Sequence, residues 1–95
     1  MARIEKTSLA ESDAIDIWLY ISQDDSVAAS RMLHKIEGRL QSLANMLLSA
    51  EAVPYIAPHV RRSSVGSYVI YYQPIEEGIQ VIRILHGARE PRDLL

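Results

Sequence analysis

His86 closes the apolar, alternating stretch VIRILH and is followed at once by Gly87, Ala88 and Arg89. An imidazole titrates near neutrality and can take up or release a proton, so His86 is the first candidate for general acid–base work. The plainer reading is a strand-end histidine bonded to a backbone carbonyl or to water. His34 and His59 offer no HxxxH or HxH spacing, so no metal site is expected. Phosphate chemistry without a metal calls for clustered cations around the scissile group. Arg61, Arg62, Arg83 and Arg89 could supply them, but both lysines, Lys6 and Lys35, lie far upstream. Arginine stays protonated to a pKa above about 12 and rarely serves as a base. The arginines therefore read as binding residues, with solvated strand-edge positions as the plain alternative for Arg61 and Arg62. We expect no catalytic residue and no cofactor.

The chain that must position these groups has 95 residues, 48% hydrophobic and 23% charged, which fits one globular domain over 1–95. Ten basic against twelve acidic residues leave a formal charge of −2, so no global positive field draws in phosphate backbones. That argues against a general nucleic-acid binder. The absence of cysteine excludes disulfides, thiolate metal sites and a cysteine nucleophile together. The start MARIEKTSLAESD lacks a basic-then-apolar signal pattern, and nowhere do eighteen apolar residues run together. We expect neither export nor a membrane span, and a reducing cytoplasm fits.

Residues 2–6 alternate as a short strand would. Ser8 and Glu11 have capping-box spacing, and Ala10, Ala14, Ile17 or Trp18, and Ile21 then recur at helical intervals over about 9–23. Ile15 and Leu19 form an apolar pair displaced from that stripe, either a wider core-facing band or a protein contact. Asp25 or Ser26 can cap a second helix, whose stripe is Met32, Ile36, Leu40, Leu43 and Leu47. Pro54 and Pro58 mark a loop over 50–59. HVRRSSV, SYVIYYQ and GIQVIRILH then read as strands, with Glu77-Gly78 as turn chemistry between the last two.

This order predicts an α+β fold, β-αα-βββ, with a helical hairpin on one face of a mostly antiparallel four-stranded sheet. Tyr68, Ile70 and Tyr72 alternate with Val69 and Tyr71, and Val81 and Leu85 flank Arg83 opposite Ile82 and Ile84. Both faces are thus apolar while the helices cover only one. A partner protein or a second copy is expected on the other.

DAIDIWLYIS, VAASRMLHKIEGRLQSLA and VGSYVIYYQPIEEGIQVIRILHGARE resemble the two helices and the C-terminal sheet of the ParE toxins, within the wider RelE/ParE superfamily. The resemblance implies a ParD-like antitoxin as partner and DNA gyrase as target, bound without catalysis. RelE-like ribosome-dependent ribonucleases use lysines and arginines of the sheet plus a C-terminal tyrosine or histidine, and only Arg89 and His86 offer matching positions in this chain. Here no lysine follows Lys35 and no tyrosine follows Tyr72, so the mRNA endonuclease, like a degenerate non-toxic relative, is the lesser alternative. We expect the antitoxin to touch Ile15, Trp18, Leu19, Tyr71 and Arg83, and the target to meet Arg61, Arg62, Arg83, His86 and Arg89. Arg83 on the bare face would fork onto a partner carboxylate. The tail Ala88 to Leu95 would serve toxicity more than folding.

Overall fold

The computed structural model describes residues 2–46 and 48–95, Asp93 by its backbone only. Strand β1 (Arg3–Lys6) leads into helix α1 (Ser8–Ser22) and helix α2 (Ser26–Asn45), followed by β2 (Glu51–Ala52), β3 (Arg61–Val65), β4 (Tyr68–Ile75) and β5 (Gly78–His86). A short 3-10 turn, Pro91–Asp93, ends the chain. The sheet has five strands in the order β1-β5-β4-β3-β2. The expected four become five because Glu51–Ala52, inside the loop expected over 50–59, pairs antiparallel with Arg61 and Arg62. The last strand lies in the interior of the sheet, antiparallel to β4 and parallel to β1.

The helices form where their caps and stripes place them. Thr7, not Ser8, caps α1: its Oγ1 accepts from the Ala10 N–H at 3.0 Å and donates to the Ile82 carbonyl at 2.7 Å, so the cap also ties the helix to β5. Asp25 caps α2 through Oδ1, which accepts from Val27 and Ala28. Ile36, Leu40 and Leu43 are buried on α2 with Met32 packed beside them, as their spacing requires. Leu47, the last position of the expected stripe, lies outside the described residues. On α1 the buried side is Ala10, Asp13 and Ile17, whereas Trp18 stays 38% exposed.

The principal core lies between the hairpin and one sheet face, where Tyr68, Ile70, Tyr72, Ile79, Val81 and Ile84 meet the helical stripes. Strict alternation would put Val81 and Ile84 on opposite faces. A bulge resolves this: Tyr71 pairs with Arg83 but Tyr72 with Val81, so Ile82 is an extra residue and the faces exchange across it.

The second face is not bare. Val53, Val60, Tyr71 and Leu85 form a second buried cluster, joined by Ile56, Ala57, Val69, Ile82 and Leu94. The loop over 53–60 folds back on itself, with the Val53 N–H on the Val60 carbonyl at 2.9 Å, and lies across that face. The chain therefore supplies from an aperiodic loop and its own C-terminus the cover that its helices do not.

Candidate partner-binding site

Asp13 is a lone acid on the apolar side of α1, between Ala10, Ala14 and Ile17. A carboxylate buried there needs a cation and hydrogen bonds. It finds them on β5: Arg83 Nε donates to Oδ2 and Nη2 to Oδ1, both at 2.8 Å, and the Ile84 N–H donates to Oδ2 at 2.9 Å. The remaining Arg83 Nη1 donates to the Leu94 carbonyl at 2.8 Å. Asp13 and Arg83 are 7% and 9% exposed. The hydrogen bonds it donates to Asp13 hold the Arg83 guanidinium more firmly protonated than usual, against the opposing effect of burial. The bidentate fork expected for Arg83 exists, but its carboxylate comes from this chain. That corrects the expectation of a free guanidinium on an open face. The same bond corrects the view of Ala88 to Leu95 as dispensable for folding, since Leu94 bonds Arg83 and packs in the second cluster.

Beside this clasp, between α1 and the ends of β4 and β5, lies a cleft of about 330 Å³ lined by Asp13, Asp16, Ile17, Tyr20, Tyr68, Ile84, Leu85, His86 and Arg89. The Arg89 N–H bonds the His86 carbonyl at 3.0 Å, so a tight turn brings these two residues to one end of the cleft. The His86 ring stands edge-on to Tyr68 with centroids 5.6 Å apart. Its Nδ1 accepts from the Ala88 N–H at 3.1 Å, which leaves the ring proton on Nε2. Burial, and then the neighbouring Tyr20, raise the Tyr68 phenol above its ordinary pKa, so it remains a donor. Chemically the cleft offers an imidazole N–H, a guanidinium and phenol hydroxyls over an apolar floor. Asp13, which could have oriented a general base, is already committed to Arg83. Among the described residues no three histidines or acids converge as metal ligands.

Ile15 and Leu19 are 60% and 52% exposed and, with Trp18, form an apolar ridge along the outer side of α1. Their offset spacing places them outside the core-facing side of the helix, and Trp18 lies with them rather than in the core. Tyr71 does not. It is 3% exposed beneath the cover of the second face, so the expectation that it meets a partner is corrected. Arg61 and Arg62 lie elsewhere again. Arg61 Nη1 donates to the Leu48 and Ala50 carbonyls at 3.2 and 2.6 Å, and Arg62 pairs with Glu51 at 3.2 Å. That hydrogen bond to Glu51 raises the pKa of Arg62. In register Arg61 and Arg62 match Tyr72 and Tyr71, in the middle of β4, while His86 matches Tyr68, three to four residues earlier on that strand. At roughly 3.3 Å per residue the two arginines of β3 stand about 10–13 Å along the strands from the level of His86. The expected basic cluster is two separate sites.

Sequence reasoning missed Asp16, Tyr20 and Tyr68 as neighbours of His86. Only Asp13 carried a signal, as a charge within an apolar stripe.

The chain matches the family model for the ParE toxin of type II toxin-antitoxin system, parDE, over residues 4–91. The chain belongs to the ParE toxin family. No individual curated protein matches it in sequence. Among solved structures, a chain described as the chromosomal ParDE TA system from P. aeruginosa is similar to this ParE-family chain with a TM-score of 0.74 at 19% identity, over 90% of this chain and 96% of that one. This likeness supports the fold, including the placement of the hairpin against the sheet. No described helix of the ParE-family chain is long and apolar enough to cross a membrane.

Proposed function

We propose that this ParE-family chain is a toxin held inactive in the cytoplasm by a ParD-like antitoxin on the α1 ridge, and that it inhibits DNA gyrase by protein binding without catalysis. The observation that carries the reading is the ridge itself: Ile15, Trp18 and Leu19 stay exposed on a helix whose other side is fully used by the core. Exposed aromatic and aliphatic side chains in one band are the usual anchors of a protein interface. The target reading is favoured by what the cleft lacks, since no lysine adjoins His86 and the Asp13 carboxylate is occupied.

Two measurements follow. Ile15→Asp combined with Leu19→Asp should cost the fold only about 1–2 kcal/mol, from helix propensity and like charges at i, i+4, because neither side chain lies in the core. Antitoxin affinity by calorimetry should nevertheless fall at least about tenfold; unchanged affinity removes the ridge from the interface. Separately, purified toxin should inhibit gyrase supercoiling or trap cleaved DNA while leaving translation intact. The shared cleft of His86, Arg89 and Tyr68 supports the ribonuclease as the second reading, and rapid ribosome-dependent mRNA cleavage in the parallel translation assay would establish it instead.

A further inference from the structure

We propose that the cleft between α1 and the end of β5 is a carboxylate-binding site that takes an acidic side chain from an extended segment of a partner protein. The inference rests on the protein-binding reading above only for the nature of the ligand, a peptide.

Three donor groups of different elements face one space. His86 presents Nε2–H because its Nδ1 is used by Ala88, and Tyr68, held as a neutral phenol, stands against its ring. Arg89 comes round the same turn. The Arg89 side chain has no hydrogen bond or ion pair among the described residues, nor has the carboxylate of Asp16 on the facing wall. A guanidinium with imidazole and phenol donors around it matches a planar carboxylate, with charge-assisted bonds from the arginine. The floor of Ile17, Ile84 and Leu85 suits the methylene stem of that acid or an apolar neighbour in the same segment. Asp16 sets the limit. A second negative charge would meet it, so the site favours a single carboxylate over a phosphate dianion or a run of phosphodiesters. Arg83, nearby, cannot compete for the ligand because Asp13 and Leu94 take all its donors that point inward.

The test is a nuclear magnetic resonance titration of the full chain with the blocked dipeptide acetyl-Leu-Glu-amide. Its Gln and Lys counterparts, inorganic phosphate and a short single-stranded oligonucleotide serve as comparison arms. We expect saturable shifts of the His86 and Tyr68 ring signals and of the Arg89 Nε–H with the Glu peptide, and affinity at least about tenfold weaker for the Gln and Lys peptides. Arg89→Gln should weaken the Glu peptide by about tenfold at unchanged melting temperature, and Arg89→Lys should restore most of it. Equal binding of the Gln or Lys peptide, absence of saturable shifts, or indifference to Arg89→Gln overturns the proposal. Tighter binding of phosphate or oligonucleotide overturns it too and makes this a phosphate site. Because the titration uses isolated toxin, its failure is separable from failure of the antitoxin and gyrase experiments, which read affinity at the ridge and supercoiling.

Discussion

Asp13→Ala should lower the folding free energy by about 3–5 kcal/mol, the usual cost of leaving one member of a buried ion pair unpaired. Arg83 would then be buried with its Nε and Nη2 donors unmatched, and the Ile84 N–H at the strand edge would lose its acceptor as well. For a domain of this size that is a fall in melting temperature of roughly 12–40 °C. Arg83→Ala should be comparably damaging, because it strands the Asp13 carboxylate and frees the Leu94 carbonyl. A double replacement of Asp13 and Arg83 by apolar residues of similar volume should recover much of the loss. Thermal unfolding of the three variants decides the matter, and single variants that melt like the parent would show that the pair contributes little. A loss of toxicity in Arg83→Ala must accordingly be read against its stability before it is assigned to a binding surface.

Gly78→Ala should be the other severe substitution, at about 3 kcal/mol and therefore roughly 12–24 °C in melting temperature. Gly78 opens β5 opposite Arg3 of β1, and a Cβ built there overlaps the Arg3 backbone. The glycine is needed for the close approach of two strands. It is not the turn residue that its neighbourhood to Glu77 suggests, since the positive φ of 63° in this turn falls on Glu77 itself. Detachment of β1 should show as faster amide hydrogen exchange at Glu5 and at Thr7, whose N–H bonds the Val81 carbonyl at 3.0 Å. Protected β1 amides in Gly78→Ala would refute this account.

The contrast between these sites and the rest of the chain shows what periodicity can carry. Ile36, Leu40 and Leu43 announced α2 because a regular stripe needs only local sequence. The displaced pair Ile15 and Leu19 marked the outer ridge for the same reason. Glu51–Ala52 gave no such signal, since two residues have no period. Val53, Ile56 and Val60 cover the second face from a loop, where burial is set by tertiary fit and not by spacing. The bulge at Ile82 reassigned every later side chain of β5 by one place, a shift invisible until the partner strand is known. Asp13 and Arg83 lie 70 positions apart. Each residue type hinted at a partner, and only the fold could pair them.

The interior position of β5 has a consequence for how the protein is made. β1, the Thr7 cap and Asp13 all find their partners on a strand made some 70 residues after them, at Gly78–His86, and Leu94 then closes over Arg83. The sheet cannot close before that strand is available, because β5 joins β1 to β4. The helices can form early from local contacts, whereas the sheet waits for these long-range pairings. A folding chain therefore passes through an interval in which α1 and its ridge can already be helical while the cleft of His86 and Arg89 has yet to form. In that interval the surface proposed for neutralisation precedes the one proposed for harm.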